Sequence, residues 1–238
     1  EKIYLKHQLS KIDPHNKIIT FSNGKLLSYD LLFTMIPLPE LVDIIETPWV
    51  ETLSKMKSLV GRLVYTSLYI VGVGLKGKIA ENYKDVHWMY VPDASIPFYR
   101  ISFPKNFAER NVPHSLNNDD SYFSILVEIN KEFFENQKEI SKEEIIELVL
   151  ENCRKIGIFG KDVQVVSDFF WDMKYGYPVP TKDRDEILEE LNEILENFGI
   201  RTRGRFGGWK YEQSNQDYCL ELSMNEAQQF KIVNRSEN

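Results

Sequence analysis

The densest chemistry in the sequence lies between Arg203 and Asp217, which reads Arg203-Gly204-Arg205-Phe206-Gly207-Gly208-Trp209-Lys210-Tyr211-Glu212-Gln213-Ser214-Asn215-Gln216-Asp217. Three glycines in five positions, Gly204, Gly207 and Gly208, leave the backbone without Cβ atoms, so a flat or charged group can approach it closely. Arg203, Arg205 and Lys210 add positive charge. A helix starting near Asn215 would contribute the N–H groups of its first turn, which favour a phosphate or an electron-rich ring edge. An anion-binding turn is one reading; an ordinary surface turn fits the same residues.

Other chemistries find less support. Cys153 and Cys219 lie far apart without a CxxC companion, and His7, His15, His87 and His114 are scattered without ligand spacing, so no metal site is expected. Reduced thiols are the default. Gly72-Val73-Gly74-Leu75-Lys76-Gly77 satisfies GxGxxG, but a dinucleotide fingerprint sits between a first strand and a helix. Here the glycines follow a long strand, and Lys78 to Lys84 is not a convincing amphipathic helix. The net charge of −7 argues against nucleic acid as a partner. No apolar run is long enough for a membrane span and no basic-apolar leader opens the chain, so a cytoplasmic protein is expected.

The elements that must position these residues follow from periodicity. Its 238 residues, 42% hydrophobic, suffice for a substantial core. Residues 2–6 and 17–21 alternate like strands, and Asn23-Gly24 predicts a hairpin between Ile18–Phe21 and Leu26-Leu27. Residues 29–34 read as a strand ended by Pro37 and Pro39, with helices over 38–45 and 49–58. Strands are predicted over 63–73, 86–91, 97–103, 121–129 and 163–171, and residues 104–120 read as an exposed polar loop. Ser141 with Glu144 forms a capping-box pattern opening a helix to about Ile156. Thr181 could cap a helix ending at Gly199. Strands and helices without regular βαβ alternation predict an α+β fold with a mixed or antiparallel sheet and packed helices.

Gly204-Arg205-Phe206-Gly207-Gly208-Trp209-Lys210-Tyr211 with Asn215-Gln216-Asp217 resembles the C-terminal flavin-contacting motif of UDP-galactopyranose mutases, especially their eukaryotic-type branch, within the amine-oxidase-like FAD flavoproteins. His87-Trp88-Met89-Tyr90-Val91-Pro92, Pro97-Phe98-Tyr99-Arg100 and Gly176-Tyr177-Pro178-Val179-Pro180 fall in that family's order, and residues 71–77 resemble its "IGVGxxG" strand end. Residues 29–38 resemble the strand that returns to the cofactor domain. In that family a reduced flavin uses N5 as nucleophile on the sugar's anomeric carbon, displacing UDP, and the ring opens and recloses with a different size. The resemblance implies that Arg100 pairs with the diphosphate, that Tyr90, Tyr177 and Tyr211 donate hydroxyls to it, and that Asn215 lies between nucleotide and flavin. Arg205, Gly207, Asn215, Gln216, Asp217 and Cys219 are then the FAD-side residues. The nucleophile would be the flavin's, so no catalytic residue is assigned in this stretch.

Without the resemblance, Tyr90 and Tyr177 would read as packed aromatics, Arg100 as an ion pair and Asn215 as a helix cap. Phe107 stands where the family has another phosphate-contacting tyrosine, Gly208 and Cys219 replace serines, and Ser214 replaces a glycine. The family's N-terminal Rossmann half has no counterpart here, and Glu1 opens what reads as mid-strand sequence. The expectation is therefore a substrate-side fragment whose partners are a UDP-sugar and an N-terminal FAD-binding domain of the same protein, with little activity of its own. It would divide into residues 1–45 bordering the cofactor domain, a substrate-side portion 46–200, and a flavin-contacting turn and helix 201–238. Two other readings stay open: an FAD oxidoreductase of the amine-oxidase or protoporphyrinogen-oxidase type, and a non-catalytic binding module.

Overall fold

Asn23-Gly24 turns the chain as the hairpin signal predicts. Strand β2 (Ile18–Phe21) runs antiparallel to β3 (Leu26–Ser28) with Thr20 opposite Leu26, and β1 (Leu9–Asp13) completes the sheet. Residues 2–6 form no strand. Ile3 and Leu5 are 86% and 80% exposed, so their alternation has no face to bury. This computed structural model describes residues 2–112, 121–135, 140–213 and 215–236. Its two compact units are Glu1–Tyr65 with Tyr177–Asn238, and Thr66–Gly176.

In the first unit, β4 (Leu32–Thr34) leads through Pro37 into α1 (Leu38–Asp43), which buries Leu38, Leu41 and Val42. Helix α2 (Val50–Val60) buries Met56, Leu59 and Val60. The three-to-four spacing of these apolar residues gives each helix one face for the core.

The second unit is built on β5 (Tyr65–Lys76), β6 (Trp88–Tyr90), β7 (Phe98–Ser102), β8 (Tyr122–Asn130) and β9 (Gln164–Pro178), ordered β6-β7-β8-β5-β9 across one sheet. Gly72 and Gly74 lie inside β5, paired with Leu126 and Ser124, rather than beyond a strand end. They form no dinucleotide loop. The predicted polar loop begins instead as a short helix, α3 (Pro104–Phe107), because Pro104 suits a first helical turn; a 3-10 turn over Glu109–Asn111 follows. Residues 113–120 of that loop lie outside the described residues. Helix α4 (Lys142–Lys155) carries the complete capping box, with Ser141 Oγ accepting from Glu144 N and Glu144 accepting from Ser141 N. Its Ile145, Val149, Leu150 and Cys153 join Val71, Val73, Leu75, Ile125 and Val127 in the core. The strand read over 163–171 runs further, to Pro178.

Back in the first unit, α5 (Arg184–Asn197) is entered through Asp183 rather than Thr181, whose carbonyl accepts from Arg184 N at 3.3 Å. Gly199 ends the helix at φ 70°, where a Cβ would also lie 2.9 Å from the Asp30 carbonyl oxygen. Strand β10 (Ile200–Thr202) pairs in parallel with β4. The glycine-rich stretch becomes α6 (Gly204–Gly207) and a 3-10 turn at Tyr211–Gln213, and α7 (Gln216–Ser236) follows. The fold is α+β, with antiparallel sheets, the short parallel β10–β4 pair and packed helices. Among the described residues no helix is long and apolar enough to cross a membrane.

Candidate functional site

The glycines of the 204–208 turn are spent on the chain itself. A Cβ on Gly207 would lie 3.1 Å from the Thr34 carbonyl oxygen and 3.3 Å from Met35 Cα, and one on Gly208 would lie 2.9 Å from the Gly204 carbonyl oxygen. The turn thus packs against the end of β4, and Gly208 N closes it on Gly204 O at 2.7 Å. Buried Gly207, expected on the cofactor side, has close contacts that are backbone. Trp209 follows with φ 52°, a left-handed conformation that is strained for a bulky residue. Its fully buried indole, edge-on to Phe206 and Tyr65, holds it there.

That packing sets Arg205 against two of the predicted diphosphate tyrosines. Its guanidinium carbon lies 5.3 Å from the Tyr177 ring centre and 5.7 Å from that of Tyr211, and the two rings meet edge to face at 5.1 Å. Arg184, 7% exposed, fixes the Tyr211 turn from below: its Nη1 and Nη2 donate to Glu212 at 2.9 and 2.7 Å. That fork holds the Glu212 carboxyl below the usual carboxylate range. Tyr177 is half-buried and Tyr211 exposed, so a permanent cation and two phenols gather here.

Arg203 does not add its charge to this cluster. It donates to Glu226 of α7 from Nε at 2.5 Å and from Nη2 at 2.6 Å, and Arg201 donates to the same carboxylate at 2.8 Å. Glu226 is 7% exposed; burial opposes its ionisation, but hydrogen bonds and charge from Arg201 and Arg203 outweigh this and keep its carboxyl below the ordinary value. A polar cleft of about 400 Å³ lies beside the trio, lined by Arg201, Arg203, Lys210, Cys219 and Asn225 among others. Lys210 Nζ lies 3.9 Å from Asp185. Asn215, Gln216 and Asp217 are exposed at the start of α7, where the Asn215 carbonyl accepts from Cys219 N at 3.0 Å. Exposed amides and first-turn N–H groups are donors of the kind that a polyanionic cofactor takes.

In the second unit, Tyr90, Arg100 and Glu128 stand side by side across β6, β7 and β8. Arg100 donates from Nη2 to Glu128, and the Tyr99 hydroxyl donates to the other carboxylate oxygen at 2.6 Å. Tyr90 is 58% exposed and lies edge-on to Trp88 at 5.1 Å. The predicted diphosphate cation therefore stands in an ion pair. Phe107, 54% exposed, packs edge-on to His87.

No protein-family model matches the chain. Among solved structures it is similar to a reduced UDP-galactopyranose mutase, at 29% identity and a TM-score of 0.78, over 90% of this chain and 43% of that one. The fold is that of the mutase's C-terminal part. The chain thus spans less than half the mutase's length. A CLA-producing fatty acid isomerase from P. acnes (14%, TM-score 0.60, 94% of this chain, 47% of the other) shares the fold. So does a protein described as a protoporphyrinogen oxidase from Exiguobacterium sp. (14%, TM-score 0.53, 77% and 37%).

Three partners escaped sequence reading. Glu128 was visible as the one charge in the apolar run Phe123 to Ile129, an anomaly that marks a paired group. Arg184 and Glu226 gave no such signal, since each sits in a helix rich in charges.

Proposed function

We propose that this chain is the substrate-side, C-terminal portion of an FAD-dependent nucleotide-sugar mutase that interconverts pyranose and furanose rings. The observation that carries the reading is the match to the reduced mutase over 90% of the chain at 29% identity, well above the other two neighbours at 14%. The gathering of Tyr177 and Tyr211 supports it, because phenol hydroxyls suit the oxygens of a diphosphate, whereas an amine or a tetrapyrrole calls for an apolar or aromatic cage.

On this reading Arg100 and Tyr90, neighbours on β7 and β6, donate to the diphosphate oxygens of a UDP-sugar, the role that the sequence resemblance also gives to Tyr177 and Tyr211. Asn215 lies between nucleotide and flavin. Arg205, Gln216, Asp217 and Cys219 face the cofactor, which an N-terminal domain of the same protein mostly holds. A bound reduced flavin would supply the nucleophile at the anomeric carbon. The chain's own work is to neutralise and orient the departing UDP, so that the sugar stays in register for reclosure.

The test is calorimetric titration of UDP into the FAD-containing full-length protein. Saturable binding is expected. No UDP binding, with flavin reduced by a small amine or a tetrapyrrole, would move the reading to an oxidoreductase; UDP binding by a protein that retains no flavin would make it a binding module.

A further inference from the structure

Glu128 is a buried acid with no part in the proposed chemistry, and it lies against the cation to which the diphosphate is assigned. The register of β7 on β8 shifts between Phe98, opposite Ile129, and Arg100, opposite Glu128. Such a bulge lets consecutive residues turn to one side of a strand and re-aims side chains next to sites. Here it directs both Tyr99 and Arg100 at one carboxylate: the tyrosine hydroxyl donates to Oε2 and the arginine Nη2 to Oε1. Glu128 is 8% exposed, whereas the Arg100 side chain keeps 32% of its surface open, so the carboxylate is the fixed member of the pair.

Resting on the mutase reading, we propose that Glu128 is the resident counter-ion of Arg100. It positions the guanidinium on the sheet face beside Tyr90 and moderates its pull on a diphosphate, so that UDP is held for reaction and then let go. A lone arginine in this place would attract a diphosphate more strongly and with steeper salt dependence. With Glu128 present, the incoming anion meets a cation already half compensated, and part of its attraction is offset by repulsion from the carboxylate.

Glu128→Gln keeps the size and an acceptor while removing the charge. In the FAD-containing full-length protein it should tighten UDP binding about three- to tenfold and steepen its salt dependence. Uridine, which has no diphosphate, should bind as to the parent, and Arg100→Ala/Glu128→Gln should bind UDP more weakly than Glu128→Gln alone. Unchanged or weaker UDP binding by Glu128→Gln would overturn the proposal while leaving the mutase reading intact. No UDP binding by the parent would instead remove that reading. A second measurement is independent of nucleotide and of how Glu128→Gln alone behaves. Arg100→Ala leaves a buried carboxylate without its cation, so Arg100→Ala/Glu128→Gln should unfold at a higher temperature than Arg100→Ala; equal or lower unfolding temperature contradicts the counter-ion role.

Discussion

The resemblance gives both Arg100 and Tyr177 a diphosphate-binding role, but the two should differ in weight, because one offers a permanent charge and the other a neutral hydroxyl. A hydrogen bond to a charged group contributes about 1.5–3 kcal/mol and a neutral one about 0.5–1.5 kcal/mol. Arg100→Ala should therefore weaken UDP binding on the order of tenfold to a hundredfold, and Tyr177→Phe clearly less, in calorimetric titrations of the FAD-containing protein. Equal losses would argue against the charge as the main contact. Glu226 makes a prediction about pH. Its folded-state pKa is held down by Arg201 and Arg203, so its contribution to stability is present above the ordinary carboxylate value of about 4.3 and is lost as pH falls through the lowered one. Denaturant unfolding from neutral to acid pH should show Glu226→Gln less stable than the parent at neutral pH, with the gap closing in acid; a constant gap would contradict this origin. At this scale the sequence named Arg205, Tyr177 and Tyr211, and the structure brings them together. It could not show that Arg203, two residues from Arg205, turns to Glu226, since that depends on where α7 packs.

Elements were legible where a local rule decided them. The Asn23-Gly24 hairpin and the Ser141–Glu144 capping box need only neighbouring residues, and both formed. Residues 2–6 misled because alternation tells nothing of whether a partner face exists, and the strand read over 163–171 runs on through Gly176. In β9 that glycine is required for space: a Cβ would lie 2.4 Å from Leu68 Cγ and 3.1 Å from the Thr66 carbonyl oxygen. Gly176→Ala should thus destabilise by about 1–3 kcal/mol, as overpacking does, and Leu68→Ala added to it should cost less than the two changes summed. Chemical denaturation of the four proteins measures this, and additive losses would mean that Leu68 is not what the methyl meets.

For the whole molecule, the α+β class was readable from strands and helices that lack βαβ alternation, whereas the division at Tyr65 and Tyr177 was not, because the first unit draws on both ends of the chain. The chain corresponds to 43% of the mutase it is similar to, so the proposed activity belongs to the full-length protein. The most direct measurement is turnover: the full-length protein, loaded with FAD and reduced, incubated with UDP-galactofuranose and followed by chromatographic separation of the two ring forms. The mutase account predicts conversion to UDP-galactopyranose that requires the reduced flavin and consumes no stoichiometric reductant. Reduced, flavin-loaded protein that leaves the furanose unchanged, yet oxidises an amine or a tetrapyrrole when reoxidised, would contradict it.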